Sequence, residues 1–95
     1  MSELQTYDVA ELLDSEEEMF LYLEAAFEDG DPAVIKNALA NVARARGMTE
    51  IAKTAGITRA GLYRALSDEG NPTLDTIRRI LGALGLQIAV RPAAA

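Results

Sequence analysis

Apolar residues recur at helical spacing over most of the 95-residue chain, and residues that favour helix ends separate the runs. One run lies between residues 15 and 30, the next between 31 and 47, and the last between 73 and 85. Two shorter runs share residues 48–66, and a brief apolar pattern at residues 9–13 indicates one further short helix. The chain is therefore predicted to be mainly α, with five to six helices.

Hydroxyl and carboxylate side chains stand where these helices are expected to begin. Ser15 is followed three residues later by Glu18, which is the spacing of a capping box. Asp31 precedes Pro32, a residue favoured in the first helical position, and Thr73 precedes the last apolar run. Each of these N-caps is predicted to satisfy backbone N–H groups that have no partner within the helix.

The period changes from helical to two after Gly85, so residues 86–91 are predicted to form a short strand. Leu86, Ile88 and Val90 would share one face of it. No other segment of the chain reads as a strand, and unpaired strand backbone needs partners. Antiparallel pairing with a second copy would build a twofold dimer with these three residues at its interface. The alternative is an extended tail lying on its own domain.

The two short helical patterns within residues 48–66 meet at a turn that contains Gly56. Glycine readily adopts the positive φ that such a turn requires. Ile57 can fill the gap between the helices, and Thr58 can cap the second one. This pattern is typical of a helix-turn-helix, whose second helix enters the DNA major groove. The alternative is an ordinary helical hairpin with a solvated basic face.

The outward face of the second helix would carry polar and cationic side chains. Arginine can pair with phosphate or with guanine edges, so these residues are candidates for DNA contact. With flanking positions, the predicted DNA-binding residues are Thr49, Thr58, Arg59, Ala60, Tyr63, Arg64 and Asn71. The predicted fold is a five- to six-helix, lambda-repressor-like helix-turn-helix bundle with a short C-terminal strand.

The net charge of −6 conceals a division along the chain. Residues 1–35 hold eleven acidic and no basic side chains, whereas residues 36–95 hold nine basic and four acidic ones. The basic part can meet phosphate, and the acidic part suits a basic protein partner. We therefore expect an acidic N-terminal helical segment (1–31), a DNA-binding bundle (32–85) and a C-terminal strand and tail (86–95). The alternative is that the acidic run is only a solvated, solubilising face.

Composition excludes several classes of function. The chain has no cysteine, histidine or tryptophan, so thiol chemistry, zinc–thiolate sites and histidine general bases are ruled out. No nucleophile–base pair or phosphate-binding loop is evident, and we expect no catalytic residue, no metal site and no cofactor. No apolar run approaches a membrane span, and the acidic N-terminus does not resemble a signal peptide. We therefore expect a cytoplasmic protein without a membrane partner.

Several runs together resemble the probable addiction module antidote proteins. They are Tyr7-Asp8, Leu12 to Glu17, Tyr22 to Ala26, Gly30-Asp31-Pro32, Ala43 to Thr49, Gly61 to Ser67 and Gly70 to Thr73. The resemblance implies a small helix-turn-helix antitoxin, often paired with a RelE/ParE-like toxin. It further implies that the chain neutralises its cognate toxin by direct binding and represses its own operon at an operator. Glu17, Glu24 and Glu28 of the acidic segment are the candidates for toxin contact.

Two other functions share the same motif. One is a free-standing helix-turn-helix repressor with no toxin partner, which would leave the surface of residues 1–31 unused. The other is a protein-interaction module that has lost DNA binding. Arg59 and Arg64 argue against the second, because such a module has no need for base-facing arginines.

Overall fold

The computed structural model describes residues 15–94 and contains five helices in that range. They are α1 (Glu16–Asp29), α2 (Pro32–Arg46), α3 (Met48–Ala55), α4 (Arg59–Leu66) and α5 (Leu74–Ala83). The mainly α architecture is thus confirmed. The helix predicted near residues 9–13 lies outside the described residues. None of these five helices combines the length and the apolar character needed to cross a bilayer.

A single apolar core holds the helices together. α2 packs against α1, α3 and α4, and α5 packs against α3. The largest fully buried side chains are Leu39 and Val42 of α2, Leu62 of α4 and Ile80 of α5. All buried residues in the described range are apolar, so each helix is placed by the stripe it hides from water. The polar side of α4 consequently faces outward.

The helix starts follow the predicted caps. The side chains of Ser15, Asp31, Thr58 and Thr73 accept hydrogen bonds from backbone N–H groups two or three residues later, at 3.0, 2.9, 2.9 and 3.1 Å. Such caps each contribute about 0.5–2 kcal/mol. Four of the five helices therefore begin where local side-chain chemistry alone indicates.

The strand predicted at residues 86–91 is wrong for the single chain, because residues 86–94 carry no regular secondary structure. The backbone N–H of Leu86 instead donates to the carbonyl of Leu81 at 2.8 Å and closes α5. Further along, Arg91 pairs with Glu28 of α1. The structure thus has the alternative arrangement, an extended tail beside its own domain. The two-residue alternation does not form a sheet here: Leu86 packs on the core, whereas Ile88 and Val90 are exposed.

The loop after α4 approaches the end of that helix closely at Gly70. A Cβ atom there would lie 2.7 Å from the carbonyl carbon of Ala65, and closer still to the carbonyl oxygens of Arg64 and Ala65. Backbone atoms cannot rotate away as a flexible side chain can. We expect Gly70→Ala to lower the free energy of unfolding by about 1–3 kcal/mol, as seen for overpacked sites. Urea unfolding followed by circular dichroism measures this.

Gly82 supplies a matched control for that substitution. It lies within α5, and a Cβ atom at this position would have no neighbour within 4 Å. Gly82→Ala should raise the free energy of unfolding by about 0.5–1 kcal/mol, because alanine is the better helix former. The two glycine variants should therefore shift the urea midpoint in opposite directions. Equal midpoints would mean that the loop moves freely away from α4.

Candidate nucleic-acid interface

The junction between α3 and α4 is a tight turn fixed by backbone hydrogen bonds. Gly56 has φ +76°, in the left-handed region that favours glycine. Its N–H donates to the carbonyl of Lys53 at 3.2 Å, and the N–H of Ile57 donates to that of Ala52 at 3.0 Å. These two bonds form a Schellman motif, with half-buried Ile57 packed on the core. Only residues 56–58 separate the two helices, so α4 has a fixed direction relative to α3.

Arg79 of α5 secures the same junction from a third helix. Its Nη1 donates to the carbonyl oxygen of Ala55, the last residue of α3, at 3.2 Å. Its Nε donates to Asp75 at 2.9 Å, and Asp75 also accepts from Arg78 at 2.8 Å. The Arg79 guanidinium therefore satisfies a carbonyl at the end of α3 that has no partner within that helix.

The hydrogen bonds from Arg79 and then Arg78 lower the pKa of Asp75 below its ordinary value of 3.8. A carboxyl whose pKa is lower in the folded state stabilises that state above its unfolded pKa. The contribution is lost as the pH falls through the lowered value. Both ion pairs are exposed to solvent, so their effect on stability is small.

Lys36 of α2 holds the loop that follows α4. Its Nζ donates to the carbonyl oxygens of Asp68 and Gly70, both at 2.9 Å. The next residue, Asn71, is one of the predicted DNA contacts and is exposed. Lys36 therefore acts on the candidate interface as a positioning residue, because it fixes the backbone from which Asn71 projects.

The outer face of α4 carries a cation–π pair. The guanidinium carbon of Arg59 lies 5.3 Å from the centroid of the Tyr63 ring, and its Nη2 donates to the Tyr63 hydroxyl at 3.2 Å. Stacking on an aromatic ring restrains the long arginine side chain. Thr58 is engaged as the cap of α4 through its bond from Gly61. The Thr58 hydroxyl oxygen thus already accepts a hydrogen bond within the protein, although the residue is exposed.

All seven residues predicted to contact DNA are exposed on α3, α4 or the adjoining loops. They are Thr49, Thr58, Arg59, Ala60, Tyr63, Arg64 and Asn71. Among the described residues, one hydrogen bond joins the side chains of two members of this set, Arg59 and Tyr63. The opposite side of α4 is buried through Leu62 and Leu66. Together the seven residues offer guanidinium, hydroxyl and amide donors, which are the groups that bind phosphates and base edges.

A second candidate surface lies between α1 and residues 86–91. These segments border a cavity of about 530 Å³, here called the α1 groove. Its apolar lining comes mainly from Phe20, Phe27, Leu86, Ile88 and Val90, with Glu24, Glu28 and Arg91 also on its lining. Residues predicted for two separate interfaces therefore meet in one place: the dimer set and two of the three toxin-contact glutamates. Glu17 is exposed on α1 but does not line the groove.

Three cations with clear structural roles, Lys36, Arg79 and Arg91, were not indicated by the sequence. The contacts that give them these roles join residues 24 to 63 positions apart along the chain. Caps and turns leave local sequence signals, whereas contacts of this span leave none. The only sequence hint for Lys36 and Arg79 is that a cation stands in an otherwise ordinary helical pattern.

Comparison with known proteins assigns the chain to a family. Residues 3–92 match the family described as "Probable addiction module antidote protein". A protein of Haemophilus influenzae (strain Rd), described as "Uncharacterized protein", is 48% identical over 89 residues, which cover 94% of this chain and 92% of that protein. No solved structure matches the chain significantly. The match over residues 3–92 spans all five helices and both candidate surfaces, so the chain belongs to the probable addiction module antidote protein family.

Proposed function

We propose that this antidote acts through two surfaces, binding operator DNA with α3 and α4 and a RelE/ParE-like toxin with the acidic N-terminal segment. In this proposal α3 and α4 form a helix-turn-helix of the lambda-repressor-like kind, and α4 is the recognition helix. The chain then neutralises its cognate toxin by direct contact and represses the operon that encodes both proteins. Membership of an antidote family supports the toxin half of the proposal.

The observation that carries the DNA half is the exposed face of α4. Arg59, Tyr63 and Arg64 project from it, and α4 contains no acidic residue. The turn at Gly56, the Arg79 contact and the Lys36 contact hold this face on a rigid base. A preorganised set of donors loses little conformational entropy when it binds.

We also propose that the chain binds its operator as a twofold homodimer. Two recognition helices would then meet half-sites about one DNA turn apart, roughly 34 Å. The dimer interface predicted from the sequence, Leu86, Ile88 and Val90, lines the α1 groove. The surface between copies in this proposal therefore lies outside that groove.

The toxin surface is proposed to include Glu17, Glu24 and Glu28. α1 carries six acidic residues and no basic one, and these three glutamates are exposed. A basic toxin would be attracted to this helix and would avoid placing like charges together. DNA would be repelled by the same helix, so operator and toxin would occupy different faces.

The full chain should bind the duplex upstream of its own gene in a sequence-specific manner. Because phosphate contacts release counterions, affinity should fall steeply with salt. The logarithm of the binding constant should fall with the logarithm of the salt concentration, with a slope of about −0.9 per phosphate contacted. Fluorescence anisotropy across a salt series measures both the affinity and the slope. A duplex of the same length and composition but shuffled sequence is the control. Equal affinity for the two duplexes would contradict operator recognition.

The toxin half is tested independently of the DNA half. The product of the gene beside that of this chain is expressed alone and then together with the chain, and cell growth is measured. We expect growth arrest in the first case and recovery in the second, with a stable complex on size-exclusion chromatography. Persistent arrest on co-expression, with no complex, would contradict the antitoxin function for that product.

A further inference from the structure

We propose that the α1 groove is the docking site for an amphipathic, basic segment of the toxin. The apolar side of this segment would cover Phe20, Phe27 and Val90, and its Lys or Arg side chains would reach Glu24. The inference rests on the proposed antitoxin function and assigns its binding surface. It differs from contact with the acidic face of α1 alone, because residues from the other end of the chain form half of the site.

Several apolar side chains of the groove are exposed to water. Phe20 is 43% exposed, Ile88 42% and Val90 96%, and all three line the same cavity. Isolated exposed apolar residues are common, but a contiguous set within one concave surface marks an interaction site. Aromatic anchors such as Phe20 and Phe27 are the residue type enriched at the centre of interfaces.

The charges around the groove define the chemistry of its occupant. Arg91 already pairs with Glu28, and Glu24 has no ion-pair partner among residues 15–94. α1 contributes no cation to offset its carboxylates. The complementary partner therefore combines an apolar surface with flanking positive charge.

This charge pattern disfavours the two occupants available within the chain itself. Residues 1–14 contain four acidic and no basic side chains, so they would place like charge beside Glu24. A second copy seated symmetrically in the groove would bring another acidic α1 towards this one. Like charges juxtaposed across an interface are strongly unfavourable. A basic toxin meets neither objection.

The test measures the affinity of the full-length chain for the purified product of the adjacent gene by isothermal titration calorimetry. We expect Ile88→Ser, Val90→Ser and Glu24→Lys each to weaken binding by about tenfold or more, the size of a typical hot-spot loss. The matched controls are Leu74→Ser, at a leucine 72% exposed on α5, and Glu50→Lys, at an exposed glutamate on α3. Both should bind within about twofold of the unmodified chain, because neither residue lines the groove.

Circular dichroism establishes that each variant is folded, and Val90→Ser is the most secure because Val90 is almost fully exposed. Hydrogen exchange adds a second measurement. The amides of residues 87–91 donate no backbone hydrogen bonds within the described range, so they should exchange fast in the free chain and slowly in the complex. Unchanged exchange in the complex would overturn the proposal.

Three further results are decisive in different ways. If the unmodified chain does not bind the product, the proposed antitoxin function fails, and this inference fails with it. If it binds and Glu24→Lys weakens binding but both serine variants do not, the toxin lies on the acidic face alone and the groove proposal is wrong. If Val90→Ser halves the mass of the free protein while toxin affinity is unchanged, a second copy covers the groove and the proposal is again wrong.

Discussion

Replacing Arg59 and Arg64 together by alanine is expected to weaken operator binding by roughly 30-fold or more, because each base-reading arginine contributes about 1–3 kcal/mol. Both side chains are exposed on α4, so the fold should be retained. The loss has two components, since the phosphate attraction also falls and the salt dependence becomes shallower. Fluorescence anisotropy at fixed ionic strength, on operator and shuffled duplexes, separates the two.

Arg91→Ala is the matched control for this pair. It also removes an exposed arginine, but from the segment that pairs with Glu28 of α1. Its operator affinity should stay within about threefold of the unmodified chain at physiological salt, where distant exposed charges are largely screened. Full operator affinity in the Arg59→Ala/Arg64→Ala variant would rule out α4 as the recognition helix.

Leu62→Ala is expected to lower the free energy of unfolding by about 2–5 kcal/mol, the range for a leucine deleted from a packed core. Leu62 is fully buried on the inner side of α4, in the same cluster as Leu39 and Ile80. Marginal stability is the norm for a chain of this size, so such a loss is a large part of the total. Chemical denaturation followed by circular dichroism gives the free energy of unfolding of the variant and of the unmodified chain.

The control for Leu62 is the same substitution at an exposed leucine. Leu74 is 72% exposed at the start of α5, so Leu74→Ala should change the free energy of unfolding by no more than about 0.5 kcal/mol. Similar losses at the two positions would mean that α4 is not held by the core. Its outward face would then lack the rigid base that base readout requires.

The parts of the fold that the sequence predicts well are those determined within a few residues. Ser15, Asp31, Thr58 and Thr73 all cap helices as expected, since a cap requires only a side-chain oxygen and an N–H two or three positions later. The turn at Gly56 was also predictable locally, because a tight turn requires a positive φ that glycine readily adopts. Seven candidate DNA contacts are exposed as expected, and their role in DNA binding stays a prediction.

The parts that the sequence could not predict depend on contacts between distant segments. The alternation at residues 86–91 has two physical solutions, pairing in a sheet or packing against a neighbouring surface, and periodicity does not distinguish them. The second applies here only in part: Leu86 packs on the core and Arg91 pairs with Glu28 from 63 residues away, while Val90 stays exposed. Lys36 likewise reaches Gly70 across 34 residues.

The shortness of α3 and α4 links the proposed operator binding to the integrity of the whole chain. Each has eight residues, fewer than the roughly 12–15 that a helix needs to persist alone in water. Their order therefore comes from the same core that includes Met19 and Leu23 of α1. A ligand that binds only the folded state adds about 2.7 kcal/mol when present at 100 times its Kd. A chain bound to its operator would therefore be folded for a larger fraction of the time than a free chain. Its α1 groove would be formed, and accessible to toxin, for that larger fraction.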